Sequence, residues 1–287
     1  MSDVTLTSAL RSNLLSLQGT QRLLNQTQLR LSTGLKVNSA LDNPSSFFAA
    51  QSLNNRASDL TGLLDGMGQA IQTIQAGNNG LTSITNYLQQ ALAVAKGALA
   101  TANANGGANT NSTVDNASYG ALTTASTGQI DQTAADSQYQ GTSLIASGGV
   151  GGASLTVQFN ETNTSSLTVS ASDNTSTGLG VAGLSLGTGV AGDAATIQTT
   201  ITAINAAIGT VRANATALGN NLNVIQTRQD FTQNLVNTLQ TGADKLTVAD
   251  KNEEGARLLS LQTTQQLGIT SLSLASQANQ SILRLFQ

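Results

Sequence analysis

The stretch RLSTGLKVNSALDNPSS, residues 30–46, contains Pro44, the one proline in 287 residues. Proline fits the first position of a helix, where no N–H is needed, and asparagine is a favoured N-cap residue just before it. A helix is therefore predicted to begin at about Pro44, with Asn43 as its cap. Gly34 and Asn38 follow a leucine-rich pattern and are typical of the end of a helix. The turn between two helices is thus predicted at Gly34, Asn38, Asn43 and Pro44.

Before this turn, leucines recur at alternating steps of three and four residues. This spacing is typical of an amphipathic helix with a narrow apolar stripe, as in coiled coils. The heptad positions read Leu10, Leu14, Leu17, Gln21, Leu24, Gln28, Leu31 and Leu35. A coiled-coil helix is predicted over about residues 4–33.

After the turn, the same spacing predicts two much longer helices. One seam runs from Leu60 to Leu99 and is followed by the stop signal NANGG, and the other runs from Ile197 to Leu246. A 3.5-residue spacing sustained over this length implies a partner helix, so the two are predicted to pair antiparallel as a rod. The first seam includes Asn78, Thr85, Leu92 and Leu99. The main apolar residues of the two seams are Leu60, Leu64, Ile71, Leu81, Leu88, Ile201, Ile208, Leu218, Leu222 and Leu239.

The middle of the chain changes character. A shorter helix is predicted over about residues 114–137. Residues 154–159 and 166–172 alternate apolar and polar side chains around NETNTS, which predicts a β-hairpin. Residues 173–194 are rich in Gly, Ser and Thr and are expected to be loops.

The last segment, from Ala249 onward, carries apolar residues on more than one face, which requires burial on more than one side. We expect neither this segment nor the N-terminal helix to find enough partner surface within one chain. Both ends are expected to be disordered alone and to become ordered against other chains. For the two long helices a monomeric bundle remains an open alternative.

Composition excludes several classes of function. Charged residues make up 9% of the chain, against about 25% in typical proteins, and the net charge is −3. No basic field is therefore available for nucleic acid or an anionic membrane. Histidine and cysteine are absent, which removes the commonest bases and metal ligands. We expect no enzyme, metal or cofactor site, and a helical enzyme or ligand-binding bundle is the disfavoured alternative. Neither a Sec-type signal peptide nor a membrane-spanning helix is predicted.

Three blocks of the sequence resemble bacterial flagellin, the subunit of the flagellar filament. RLSTGLKVNSALDNPSSFFAA (30–50) is similar to the family block Arg-Leu-Ser-Ser/Thr-Gly-Leu-Lys/Arg-Ile/Val-Asn-Ser-Ala. SQYQGTSLI (137–145) and SLASQANQSILRLFQ (273–287) resemble the family's segment after the third helix and its C-terminal ending. The similarity covers about residues 1–145 and 195–287. DNPSS departs from the common Asp-Asp-Ala-Ala and is similar to the hook–filament junction protein, which is the alternative.

The resemblance implies a mainly α subunit of two parts. Residues 1–40 with 249–287 would form an inner coiled-coil layer that lines the filament channel. Residues 41–248 would form a helical rod with a β-hairpin at about 154–172 and short loops at 173–194, and the Pro44 turn would be the spoke between the layers. The implied polymer-core contacts are Leu10, Leu14, Leu17, Leu24, Leu31, Leu258, Leu261, Leu272, Ile282, Leu285 and Phe286.

The resemblance also implies a function and partners. The chain would polymerise into the filament that acts as the propeller for swimming, after export through the flagellar apparatus without a cleaved signal. Its partners would be itself, sister flagellins, an export chaperone, the filament cap and hook-junction proteins, with no nucleic acid and no membrane. Members detected by Toll-like receptor 5 carry Arg, Arg and Glu where this chain has Gln90, Leu92 and Ala93, with Lys96 as the nearest charge. Weak or no recognition by that receptor is expected.

Overall fold

The computed structural model describes residues 8–146 and 153–285, and the fold is mainly helical, as predicted. The helices are α1 Ser8–Thr33, α2 Pro44–Ala104, α3 Ser112–Thr123, α4 Gln129–Asp136, α5 Asp193–Thr247 and α6 Lys251–Leu285. Two small antiparallel sheets lie mid-chain: β1 Gln138–Tyr139 with β2 Thr142–Ser143, and β3 Leu155–Gln158 with β4 Ser166–Val169. The second sheet is the predicted hairpin, in which Leu155 lies opposite Val169.

The start and the end of α2 agree with the sequence signals. The helix begins at Pro44, and the Asn43 side-chain oxygen accepts the Ser46 N–H over 3.1 Å as an N-cap. After Ala104 the backbone turns through Gly106 and Gly107, whose φ angles are +67° and +96°. Such positive φ angles favour glycine, so the predicted NANGG stop is confirmed.

The chain forms two compact units, residues 58–236 and residues 1–57 with 237–287. These units are defined by proximity within one chain, whereas the domains predicted from the sequence are layers of a polymer. The predicted boundaries at residues 40 and 249 therefore stay a prediction. Within residues 8–146 and 153–285, no helix is both long and apolar enough to span a membrane.

In the unit of residues 58–236, α2 and α5 pack antiparallel. A Cβ at Gly77 would lie 3.4 Å from the Leu218 Cδ1. Just after the end of α2, the carbonyl of Gly107 accepts the Ala194 N–H at the start of α5. Within the part of α5 in this unit, Ile201, Ile208 and Leu218 are buried. Leu222 is only half-buried.

The seam of α2 changes phase near its middle, and here the prediction was wrong. The predicted seam positions that lie off the buried stripe are Asn78, Thr85, Leu92 and Leu99. The buried residues in their place are Gly77, Ile84, Ala91 and Ala98. Two successive three-residue steps, from Ile71 to Ile74 and from Ile74 to Gly77, rotate the stripe. The rotation turns Gly77 toward Ile145, whose Cγ2 would lie 3.6 Å from a Cβ there.

The single helix predicted for residues 114–137 is instead two helices, α3 and α4. Between them, Ser126 adopts a positive φ of +67°, and the Asp131 carboxylate accepts its N–H. A Cβ at Gly128 would lie 2.7 Å from the Leu122 carbonyl oxygen, so the backbone approaches too closely for a larger residue. The helical spacing of apolar residues in the sequence therefore continues across residues 124–128, where the helix is interrupted.

Two buried side chains fix the loops between β4 and α5. The Asp193 carboxylate accepts N–H groups from Asn109 and from three residues of the loop before α5, Thr188, Gly189 and Val190. The Thr188 N–H is the main reason that the Asp193 pKa is lowered; burial opposes it, and the other three N–H groups lower it further. The Tyr119 hydroxyl donates to the Val181 carbonyl over 2.7 Å.

Candidate assembly interface

Helices α1 and α6 lie side by side and antiparallel in the unit of residues 1–57 with 237–287. The Arg30 guanidinium donates to the Glu254 carboxylate over 3.1 Å, and the Gln265 amide donates to Gln21 over 2.6 Å. Farther along, a Cβ at Gly268 would lie 2.8 Å from the Leu17 Cδ2. As residue numbers rise along α1, the numbers of the contacting residues on α6 fall, so the two helices run antiparallel. The predicted pairing of the two terminal helices is therefore confirmed, and their disorder in the free chain stays a prediction.

A heptad stripe on each helix forms the α1–α6 contact. The protected positions of α1 are Asn13, Leu17, Thr20, Leu24, Thr27 and Leu31, and those of α6 are Glu254, Leu258, Leu261, Gln265, Gly268, Leu272 and Ala275. Both series step by alternating threes and fours, as in a coiled-coil seam. Six of the predicted polymer-core contacts lie on this intrachain stripe: Leu17, Leu24, Leu31, Leu258, Leu261 and Leu272.

The α1 stripe differs in phase from the seam read in the sequence. Gln21 and Gln28 are exposed, whereas Thr20 and Thr27 are buried. The Thr20 hydroxyl donates to the Ser16 carbonyl of its own helix, so this polar side chain is satisfied when buried. Phe286 and the side chains of Leu10, Ile282 and Leu285 lie outside the described parts of the structure.

The α1–α6 pair leaves many large apolar side chains uncovered. On α1 these are Leu14, Leu15, Leu23 and Leu29, and on α6 they are Leu259, Leu267, Ile269 and Leu274. Scattered apolar residues are normal on a protein surface, but eight on one helix pair indicate an interaction surface. Only Leu14 among them was predicted as a polymer-core contact, although the segment from Ala249 was expected to need burial on more than one side.

The connections at the base of the helix pair are hydrogen-bonded to each other. The Lys36 N–H donates to the Thr247 carbonyl over 2.7 Å, and the Ala249 N–H donates to the Gly34 carbonyl over 2.9 Å. Gly34 has a φ of +73°, which lets the chain leave α1 and pair with the α5–α6 connection. The start of the turn predicted from the sequence is thus joined to the α5–α6 connection by an antiparallel β-bridge between Leu35 and Val248.

Asp42 braces the rest of this turn. Its Oδ2 accepts the N–H groups of Asn38 and Ser39 over 2.9 and 3.1 Å. A cavity of about 350 Å³ beside it is lined by the cationic residues Arg30, Lys36 and Lys245. The braced turn carries the chain directly into the N-cap of α2.

Comparison with known proteins decides what this arrangement belongs to. A family model of the bacterial flagellin N-terminal helical region matches residues 4–148, and one of the C-terminal helical region matches residues 201–286. The chain belongs to the bacterial flagellin family. The first matched region contains α1 to α4 with β1 and β2, and the second contains most of α5 and all of α6.

Relatives match this flagellin over nearly its whole length. Flagellin FljM of Caulobacter vibrioides is 30% identical over 280 residues, which cover 95% of this chain and 94% of the relative. Flagellin FljK of the same organism is 31% identical over 279 residues with the same coverage. The flagellin of Brucella melitensis is 28% identical over 297 residues, which cover both chains in full.

These findings establish the role of the protein. It is the filament subunit of the bacterial flagellum, an extracellular structural protein and not an enzyme. The family found is therefore flagellin rather than the alternative, the hook–filament junction protein. In residues 8–146 and 153–285, no three Asp or Glu side chains lie close enough together to hold a metal ion.

Proposed function

We propose that the α1–α6 pair is the part of this flagellin that forms the inner core of the filament. In this proposal residues 1–40 with 249–287 make the inner layer, residues 41–248 make the rod, and the Gly34–Pro44 turn is the spoke. The observation that supports it is the row of exposed leucines and isoleucine on both helices. Each pair buries one stripe internally and has a second stripe left for its neighbours.

Polymer growth follows from burying that second stripe. A contact between two different patches repeats without closing into a ring, and so produces a helical tube. Burial of apolar surface contributes about 25 cal/mol per Å², or roughly 1.5–3 kcal/mol for a whole leucine side chain. Several leucines per subunit are enough to overcome the loss of freedom on assembly.

A matched pair of surface substitutions tests the proposal. Leu274 on α6 is 70% exposed, and Val114 on α3 is 67% exposed. Leu274→Ser is expected to leave monomer unfolding unchanged and to raise the critical concentration for filament growth about 10- to 100-fold, because a buried contact is lost. Val114→Ser removes an equally exposed apolar group outside the core and should change neither quantity.

Seeded growth followed by light scattering and electron microscopy measures the effect. Equal critical concentrations for Leu274→Ser and the unsubstituted chain would contradict the assignment of the core. Deleting residues 273–287 is a second test, since filaments grown from the truncated chain would contradict it as well.

The same uncovered stripe supports the proposed partners inside the flagellar system. Exposed leucines favour association before assembly, so an export chaperone that covers α6 would prevent early polymerisation. Sister flagellins, the filament cap and hook-junction proteins would meet the same surface at filament ends. Binding of the export chaperone should be weakened by Leu274→Ser and unaffected by Val114→Ser, as measured by calorimetry.

Toll-like receptor 5 is proposed to recognise this flagellin weakly or not at all. Gln90 and Ala93 are exposed on α2 and Leu92 is half-buried, so the aligned surface offers no charge at these three positions. Charge-assisted hydrogen bonds are about twice as strong as neutral ones. A receptor-reporter assay with purified monomer should give a much weaker response than an enteric flagellin; an equal response would contradict the proposal.

A further inference from the structure

Two Asn-Gly pairs occur in the sequence, and the structure places them in different surroundings. Asn105 and Gly106 lie just after the end of α2, and both are exposed. Asn79 and Gly80 lie in the middle of the same helix. An asparagine side chain is attacked most easily by the next backbone nitrogen when that nitrogen belongs to glycine, because no Cβ hinders the approach.

The Gly106 backbone nitrogen is open to attack by solvent base. In residues 8–146 and 153–285 its N–H donates to no acceptor, whereas the N–H groups of Asn105 and Gly107 on either side both donate to the Ala102 carbonyl, over 3.2 and 2.8 Å. Gly106 has a φ of +67°, and a Cβ there would have no neighbour within 4 Å. Nothing packed on residue 106 therefore stops the small backbone rotation that brings its nitrogen to the neighbouring side chain.

The Asn105 side chain is held only at the surface. Its Nδ2 donates to the Thr101 carbonyl over 2.8 Å and to the Thr110 hydroxyl over 3.5 Å. Water competes for such exposed hydrogen bonds, so their net contribution to stability is small. The side chain can therefore turn toward the Gly106 nitrogen without disturbing the core.

The helix protects the other pair. The Gly80 N–H lies inside α2, where each amide donates to the carbonyl four residues earlier. Gly80 is also packed against the chain after α4, since a Cβ there would lie 2.5 Å from the Ile145 Cδ1. Ring closure at Asn79 would require this part of α2 to open first.

We infer that Asn105 is a site of spontaneous deamidation in this flagellin and that folding protects Asn79. The deprotonated Gly106 nitrogen attacks the Asn105 Cγ; a C–N bond forms, and the Cγ–Nδ2 bond breaks with release of ammonia. Water then opens the five-membered succinimide to aspartate or isoaspartate. The net reaction consumes one water and releases one ammonia, with no oxidation or reduction. One added negative charge takes the net charge from −3 to −4. It lies just beyond the C-terminal end of α2, where the helix dipole disfavours an anion.

Heavy-oxygen labelling of the full chain tests the site. The purified protein is incubated in mildly alkaline buffer made with heavy-oxygen water, folded in one sample and unfolded in urea in another. Incubation lasts until half of Asn105 in the unfolded sample has been converted. The oxygen that opens the succinimide stays in the product. Digestion follows in ordinary water, so that deamidation during handling carries no label, and fragmentation mass spectrometry locates the label at single residues.

Asn79 is the internal control, because it has the same following residue and is also exposed. In the folded chain the label at Asn105 is expected to exceed that at Asn79 about tenfold or more, because Asn79 reacts only through local opening of α2. In urea the two residues should be labelled to similar extents. An Asn105 to Asn79 ratio that is the same in the folded and unfolded chains, or an unlabelled Asn105 in the folded chain, would overturn the inference. Neither result bears on filament assembly.

Discussion

Arg30 in the last turn of α1 and Glu254 in the first turn of α6 form a short ion pair, with Nη1 3.1 Å from Oε1. Glu254 is 5% exposed, and its Oε2 accepts no hydrogen bond from the described residues. Arg257, one turn along α6, lies 3.9 Å from the same Oε1. Because the carboxylate is buried, removing its partner costs more than breaking an exposed ion pair. The pair therefore fixes the register between α1 and α6.

Substituting either partner of this ion pair should destabilise the helix pair unequally. Arg30→Met leaves the buried carboxylate of Glu254 without its nearest cation and is expected to cost about 3 kcal/mol, whereas Glu254→Gln keeps a polar group and should cost less. The double variant should recover about 1 kcal/mol or more relative to the sum. Thermal unfolding followed by circular dichroism measures the cycle, and strictly additive effects would show that the two side chains do not couple.

The periodic parts of this fold could be predicted from sequence, and the choice of partner could not. Pro44 with Asn43 marked the start of α2 because both act within one turn of the chain. The stripe of α1 that faces α6 shares Leu17, Leu24 and Leu31 with the predicted seam. Its alternate positions were predicted one residue too late, because leucines occur on several faces of α1 and do not show which face meets α6. The Arg30–Glu254 pair joins residues 224 positions apart, and spacing along the chain carries no information about such a contact.

Gly80 lets the chain after α4 pack directly on α2. A Cβ there would collide with the Ser137 hydroxyl and would lie 2.5 Å from the Ile145 Cδ1. Gly80→Ala is therefore expected to destabilise the unit of residues 58–236 by about 2 kcal/mol, through overpacking. Gly62, on the same helix, has no neighbour within 4 Å of such a Cβ. Gly62→Ala should instead stabilise by up to about 1 kcal/mol, through helix propensity.

Urea unfolding at neutral pH separates these two alanine substitutions. The dependence of the unfolding free energy on urea concentration should be the same for both, and the midpoints should shift in opposite directions. A stabilising Gly80→Ala would mean that the loop at Ile145 does not pack against α2.

A charge placed on the α5 seam should report how deeply each position is buried. Ile208 is 7% exposed, whereas Leu222 is half-buried. Ile208→Asp is expected to cost about 3–5 kcal/mol, because an unpaired charge enters the core, and Leu222→Asp about half as much. Melting temperatures of the two monomers measure the difference. Equal losses would show that Leu222 is as deeply buried as Ile208.

Asp193 should make the unit of residues 58–236 sensitive to acid. Its folded pKa is lowered, so the stability it contributes is present above the usual pKa of aspartate and is lost as pH falls through the lowered folded value. Asp193→Asn should reduce the melting temperature at pH 7 and flatten its dependence on pH below about 4. Asp65 is exposed on α2, and Asp65→Asn is the matched control. An unchanged acid profile for Asp193→Asn would contradict the role of the four N–H donors.

Tyr119 should make the same unit sensitive to alkali. The side chain is 2% exposed, and burial raises its pKa to about 12, with a smaller opposing effect from the hydrogen bond to Thr123. The unfolded chain loses this proton near pH 10, so stability should fall between about pH 10 and 12.

Tyr119→Phe should cost about 1 kcal/mol at pH 8, because the Val181 carbonyl loses its donor, and the cost should shrink as pH rises above 10. Tyr87→Phe, on half-buried α2 surface, is the control that should keep the full alkaline fall. Urea unfolding at each pH measures these differences, and a cost of Tyr119→Phe that stays constant up to pH 12 would show that the phenol ionises equally in both states.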